Sequence, residues 1–231
     1  MLISDNQRLK VLLSELEASL HAQTCKIIER GCANEAKGKK GGKEGWNVGW
    51  WFNMGRTVQQ EGFAPKLDGT CAFETPHPWH KKKSVYMDDP LTSASKPYWK
   101  KELYILAGQV LEIIDVEYMR DGDWCLYVSC MLAGKCEVKR HEDRKDVSHQ
   151  YIIFLGNYKN AVLELESPRE DSKGTLLQFS ESHKVLKCDA RCKHRVASAG
   201  FEGVRYCVTL YKMYDRRLSK PTPVYWPPHY V

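Results

Sequence analysis

WCLYVSC (124–130), YIIFLG (151–156), AVLELE (161–166), TLLQF (175–179), KVLKC (184–188) and VRYCVTLYKM (204–213) decide the fold class of this chain. Each is a short run rich in the β-branched, aliphatic and aromatic side chains that suit a pleated, half-buried surface. They crowd together once the chain passes Asp123. Many short strands at close spacing, placed after helices rather than alternating with them, predict a β-sandwich or barrel with helices to one side.

Upstream of Asp123 the period is helical. Leu9, Leu13, Leu16 and Leu20 predict an amphipathic helix from Asp5 to Arg30, capped by Ser4 or Asp5 and stopped by Gly31. Leu103, Leu106, Val110, Ile113 and Ile114 mark a second one from Trp99 to Tyr118. Between them lies AKGKKGGKEG (36–45), without apolar period and therefore read as an exposed loop, followed by Trp46, Trp50, Trp51 and Phe52. Positions 71–99 hold Pro76, Pro78, Pro90, Pro97, His77, His80 and the basic run Lys81–Lys83, and read as an irregular insertion. Pro221, Pro223, Pro227 and Pro228 keep the tail out of any long strand or helix. The expected organisation is an N-terminal helix (1–35), a basic loop and insertion (36–99), a β core (100–216) and a proline-rich tail (217–231), all within one domain.

A chain of 231 residues can bury a core without disulfide support. Its 9 cysteines are an odd number with no compact framework, which points to reduced thiols and an intracellular protein, nuclear in a eukaryote and otherwise cytoplasmic. The N-terminal MLISDNQRLK has no basic segment leading into an apolar one, so no secretory signal is expected. No apolar run approaches the roughly 18 to 20 residues that span a bilayer. The net charge of +6 is compatible with nucleic acid without establishing it. The basic loop beside aromatics suits phosphate contact and base stacking; the other reading is a solvated loop followed by a buried aromatic anchor.

The chemistry starts at Lys139-Arg140-His141-Glu142-Asp143, which holds the chain's one His-x-Asp. In an extended segment residues two apart share a face, so His141 and Asp143 can converge on one ion. His194 stands just before the last β-rich run and completes two histidines and a carboxylate, a facial set that leaves three positions open and suits non-haem Fe(II). Arg205 follows on that run, where a guanidinium can take the distal carboxylate of 2-oxoglutarate in a bidentate grip. Each residue alone has an ordinary reading as a surface, capping or salt-bridged group; the ordered set is what carries the signal. A rival metal set, Cys188, Cys192 and His194 with Cys207, has soft ligands but no complete second pair.

Positions 139–212 resemble the oxygenase domain shared by the ten-eleven translocation and base-J-binding DNA oxygenases. The matching stretches are Lys139–Asp143 with Ser148 downstream, Ile153–Tyr158, Leu163-Glu164-Leu165, Lys193–Val196 and Gly203–Tyr206. The resemblance implies an α+β protein with a double-stranded β-helix (jelly-roll, cupin-like) core flanked by N-terminal helices. It implies Fe(II), 2-oxoglutarate and O2, with oxidation of a pyrimidine 5-methyl group, 5-methylcytosine or thymine, in DNA. Asp146 matches a residue that hydrogen-bonds a flipped base, and Tyr211 an aromatic that stacks on it. A base must leave the duplex to be oxidised, so both contacts have a physical reason. Lys139, Arg140 and the lysines at 37–43 are then expected on phosphates. The chain departs from the family in reading Lys159-Asn160-Ala161 where a glycine pair is common, and in one extra residue between His194 and Arg205. The same centre acting on an RNA base or a protein side chain is the first alternative. A nucleic-acid-binding barrel without turnover is the second.

Overall fold

The computed structural model describes residues 3–22, 28–31, 46–56, 98–120, 124–133, 138–169, 174–212 and 221–231. It divides into two compact units, Met1–Lys26 with Trp51–Val128 and Ile27–Trp50 with Ser129–Val231. The basic loop at 36–45 and the insertion with His77, His80 and Lys81–Lys83 lie outside the described residues.

The first unit carries the helices. In α1 (Ile3–His21), Leu9, Leu12, Leu13, Leu16 and Leu20 form one buried stripe. The helix stops well short of Arg30 because its stripe ends: the next positions on that face are Gln23 and Thr24, and Ile28–Gly31 is a strand, β1. The second helical segment is likewise two pieces, α2 (Tyr98–Ile114) and α3 (Val116–Arg120). Asp115 divides them. Its carboxylate accepts a hydrogen bond from the Tyr118 amide at 3.0 Å, capping α3 from the side chain. Leu103, Ala107, Val110 and Leu111 of α2 are buried, and Arg8 of α1 reaches Glu112 of α2 at 3.1 Å.

The second unit is a double-stranded β-helix. The remaining strands are β2 (Trp46–Arg56), β3 (Trp124–Ala133), β4 (Val138–His141), β5 (Gln150–Leu155), β6 (Tyr158–Lys159), β7 (Val162–Glu166), β8 (Leu176–Phe179), β9 (Lys184–Cys188), β10 (His194–Ala197), β11 (Glu202–Gly203), β12 (Arg205–Lys212) and β13 (His229–Tyr230). Among the described residues the larger sheet has the order β1-β2-β3-β12-β5-β9-β13 and the smaller one β4-β10-β7-β8. Every predicted run from 124 to 213 appears as a strand. Ile152, Phe154, Leu186 and Cys188 of the larger sheet meet Leu163, Leu165 and Phe179 of the smaller in one apolar layer. All of β5 is buried, which accounts for its unbroken apolar reading.

The tail is irregular over 221–228, as its prolines require, and then adds β13 to the edge of β9 through His229 and Tyr230. Trp226 and Tyr230 pack against the apolar layer, Tyr230 edge-on to Phe179 with ring centroids 5.4 Å apart. No helix among the described residues is long and apolar enough to cross a membrane.

Candidate metal centre

Leu163 and Leu165 belong to the layer between the sheets, and they are the cross-strand partners of Val196 and His194. Paired residues share a face, so His194 points inward. His141 pairs with His194 from the other side and shares that face. The pairing is irregular: Val196 meets Val138, so β4 carries one extra residue between its two inward partners. Such a bulge re-aims the side chain that follows it.

The rings of His141 and His194 stand with centroids 4.2 Å apart and planes at 52°. Nδ1 of His141 lies 2.7 Å from the Lys139 carbonyl oxygen, and Nδ1 of His194 lies 3.0 Å from that of Cys192. A carbonyl only accepts, so each Nδ1 bears a hydrogen, and in the neutral ring Nε2 is the nitrogen with the lone pair. Asp143 sits just beyond β4, its amide donating to the Ala190 carbonyl at 2.8 Å. Its Oδ1 is 3.7 Å from Nε2 of His141 and its Oδ2 is 3.9 Å from Nε2 of His194. The coordinating atoms of the three residues all lie within 4.8 Å of one another.

These residues fit a divalent transition metal. Two right-angle ligands about 2.1 Å from an ion stand about 3 Å apart, so the set is slightly open but converges on one point. Burial holds the His194 imidazole below its ordinary pKa, with His141 beside it acting the same way and Asp143 opposing. The neutral ring is the form that binds metal. Among the described residues this is the one group of three or more able to hold an ion. Cys188, Cys192, Cys207 and His194 form no such group among the described residues, so the alternative cysteine set does not assemble. Cys188 is fully buried with its Sγ 3.8 Å from Gln150, and burial raises its thiol pKa.

Arg205 opens β12 and is 4% exposed. Phe154 pairs with Cys207, which packs against the apolar layer. Arg205 is two residues before Cys207 and so shares its inward face, on the sheet opposite the histidines. Its Cζ lies 4.9 Å from the Phe154 ring centre and 5.7 Å from that of Tyr158. The Tyr158 hydroxyl donates to the Ser180 carbonyl at 2.9 Å; burial pushes its pKa up to about 12, against the pull of Arg205. The chain reaches this point through a close approach. Gly156 has φ +97°, and a Cβ there would overlap the Val204 carbonyl, so only glycine fits beside the start of β12.

The remaining predicted contacts fall in different places. Tyr211 lies on the inward side of β12 by alternation from Arg205 and is buried. Asp146 is buried, with its amide on the Asp143 carbonyl at 3.0 Å. Burial, then the nearby Asp143 and Asp189 carboxylates, raise its pKa to about 8, which keeps the acid largely protonated at neutral pH. Lys139 is exposed beside the bulge. Arg140 forms an ion pair with Glu166 on the outer face of the smaller sheet, where Arg195, Glu164 and Gln178 form a second cross-strand row. Sequence reasoning passes over Asp189-Ala190-Arg191-Cys192. An Asp at a strand end favours a side-chain-stabilised turn, which marks the turn but not the distant partners of its side chains.

Fold and site together define a double-stranded β-helix that carries a His-Asp-His cluster able to hold a metal ion. No family model and no curated protein matches the chain. Among solved structures it is similar to a 2OG-Fe(II) oxygenase family oxidoreductase from Burkholderia pseudomallei, at 12% identity and TM-score 0.46, covering 90% of this chain and 81% of that one. It is also similar to an oxalate oxidase in complex with glycolate, at 9% identity and TM-score 0.32, covering 39% and 42% of the two chains. A cupin superfamily protein from Desulfitobacterium hafniense gives 12% identity and TM-score 0.28, covering 39% and 68%.

Proposed function

We propose that the protein is an Fe(II)- and 2-oxoglutarate-dependent dioxygenase acting on the 5-methyl group of a pyrimidine in DNA. The observation that carries the cofactor half is the convergence of two inward Nε2 lone pairs and the Asp143 carboxylate, faced by an inward arginine on the opposite sheet. His141, Asp143 and His194 are the ligands for the iron. With 2-oxoglutarate and O2, that iron supplies hydroxylation of a C–H bond, one oxygen atom going to the product and the other to succinate as CO2 leaves.

The chain's own residues do the positioning. Arg205 binds the far carboxylate of 2-oxoglutarate, its guanidinium lying close to the Phe154 and Tyr158 rings. The Lys139 and Cys192 carbonyls hold both imidazoles with Nε2 turned to the ion. The DNA substrate rests on the resemblance at 139–212, on a buried Asp146 acid able to donate to a base edge, and on the inward Tyr211 ring able to stack. Lys139 and the 37–43 lysines are the proposed phosphate contacts. Arg140 is a weaker one, since Glu166 already takes part of its charge.

The test is succinate release from 2-oxoglutarate with Fe(II), with and without methylated DNA, joined to mass spectrometry of the nucleosides. An oxidised pyrimidine supports the reading. Turnover stimulated by RNA or peptide but not DNA moves the same centre to another substrate. Tight DNA binding without succinate under any substrate sinks the enzyme reading in favour of a binding module.

A further inference from the structure

We propose that Asp189 and Arg191 are positioning residues for the metal centre, acting through the backbone of the turn they lock. The inference rests on the reading of His141, Asp143 and His194 as metal ligands.

The Asp189 side chain has no exposed surface, and that of Arg191 has 13%. Oδ1 of Asp189 accepts from the Arg191 amide at 3.1 Å and from its Nε at 2.8 Å. Oδ2 accepts from Nη2 at 2.5 Å and from the Tyr225 amide at 2.9 Å. The rest of the guanidinium is also used. Nη1 donates to the carbonyls of Thr222 at 2.8 Å and Val147 at 3.4 Å, and Nη2 to that of Pro223 at 3.2 Å. All five donors of the fork therefore have acceptors. One side of the fork holds the turn, the other the tail.

That turn faces the metal ligands with two carbonyls. Closed by the Cys192 amide on the Asp189 carbonyl at 3.1 Å, it offers the Ala190 carbonyl to the Asp143 amide and the Cys192 carbonyl to Nδ1 of His194. It thus sets the place of one ligand and the tautomer of another. Val147, four residues after Asp143, is tied to the same assembly, its carbonyl taking the Thr222 amide at 2.7 Å and the Thr222 hydroxyl at 3.1 Å. A buried ion pair adds little net stability over an apolar replacement, because desolvation offsets its attraction. What a fully satisfied fork adds is a fixed geometry, and the fixed object here is the turn behind two ligands.

The experiment uses the full chain and the variants Asp189→Asn and Arg191→Lys. The His194 tautomer is read by long-range proton–nitrogen NMR in metal-free protein, and Co(II) affinity by the visible absorption of the bound ion. Wild type is expected to be protonated at Nδ1 throughout. Asp189→Asn is expected to show a mixture of tautomers and Co(II) binding weaker by about tenfold to hundredfold, the usual range for groups that orient a ligand. Arg191→Lys keeps the charge but loses the fork, and should fall between. A folded variant that melts lower yet keeps the wild-type tautomer and Co(II) affinity within about twofold overturns the proposal, as a purely structural role would give that result. If Asp189→Asn does not fold, Arg191→Lys decides on the same two readouts. If wild type takes up no Co(II), the metal reading itself fails, and the tautomer measurement alone then decides whether the turn orients His194.

Discussion

His141 and His194 are direct cross-strand partners, and each ring is turned by the carbonyl oxygen two residues before it. The histidine pair is thus built by strand register and backbone, with Asp143 brought up to it by the Ala190 carbonyl.

Replacing any of the three by alanine should abolish tight metal binding. Saturating Co(II) should raise the melting temperature of wild type by about 5–10 °C, since a ligand at a hundred times its Kd contributes ~2.7 kcal/mol and each kcal/mol moves a domain of this size by ~2–4 °C. His141→Ala, Asp143→Ala and His194→Ala should lose that rise. Calorimetric scans with and without the ion check it; an undiminished rise in any variant removes that residue from the centre.

Arg205→Ala should weaken 2-oxoglutarate binding by about tenfold to hundredfold, the equivalent of a charge-assisted hydrogen bond worth ~1.5–3 kcal/mol. Co(II) affinity should stay where it was. Phe154→Leu, which removes one ring face from the guanidinium, should show a smaller loss of the same kind. Isothermal titration of Co(II)-loaded protein with 2-oxoglutarate separates these outcomes. Equal binding by Arg205→Ala would move the co-substrate anchor elsewhere.

Gly156→Ala should cost about 2 kcal/mol or more, from the positive φ and the overlap with the Val204 carbonyl. Urea unfolding measures it. Because Val204 precedes Arg205, the variant should also weaken 2-oxoglutarate binding. A neutral substitution would mean that the β5 and β12 ends do not approach so closely.

The two faces of β10 and its neighbour should respond differently. Leu165→Ala empties a space in the apolar layer beside His194 and should cost about 2–5 kcal/mol. Arg195→Ala acts on the outer face, where the arginine is half-exposed and Gln178 still bonds Glu164, and should cost about 1 kcal/mol or less with Co(II) affinity unchanged. Urea unfolding with Co(II) titration compares them; a large metal effect from Arg195→Ala would contradict the inward assignment of His194.

The β core and the convergence of His141, Asp143 and His194 are legible because both are written in side chains. Strand runs such as 151–156 are apolar throughout since both faces are buried, and the His-x-Asp with His194 and Arg205 needs no long-range knowledge to be noticed. Helix ends are not. The stretch from Asp5 to Arg30 reads as helical only while its leucines recur, and the change to strand at Ile28 depends on pairing with β2. Asp115 falls within the predicted Trp99–Tyr118 helix, yet its carboxylate caps α3. The Asp189–Arg191 fork was invisible for another reason: its partners are carbonyls at 147, 222 and 223 and an amide at 225, which no spacing rule brings together.

The carbonyls behind His141 and His194 bear on how such a centre survives divergence. A main-chain oxygen is supplied by whatever residue stands there, so positions 139 and 192 can change letter while the imidazoles keep their aim. What inheritance must hold constant is then three scattered letters between 141 and 194, together with a one-residue insertion in β4 and a short turn. Two descendants of one ancestor could share every coordinating atom and almost no alignable text.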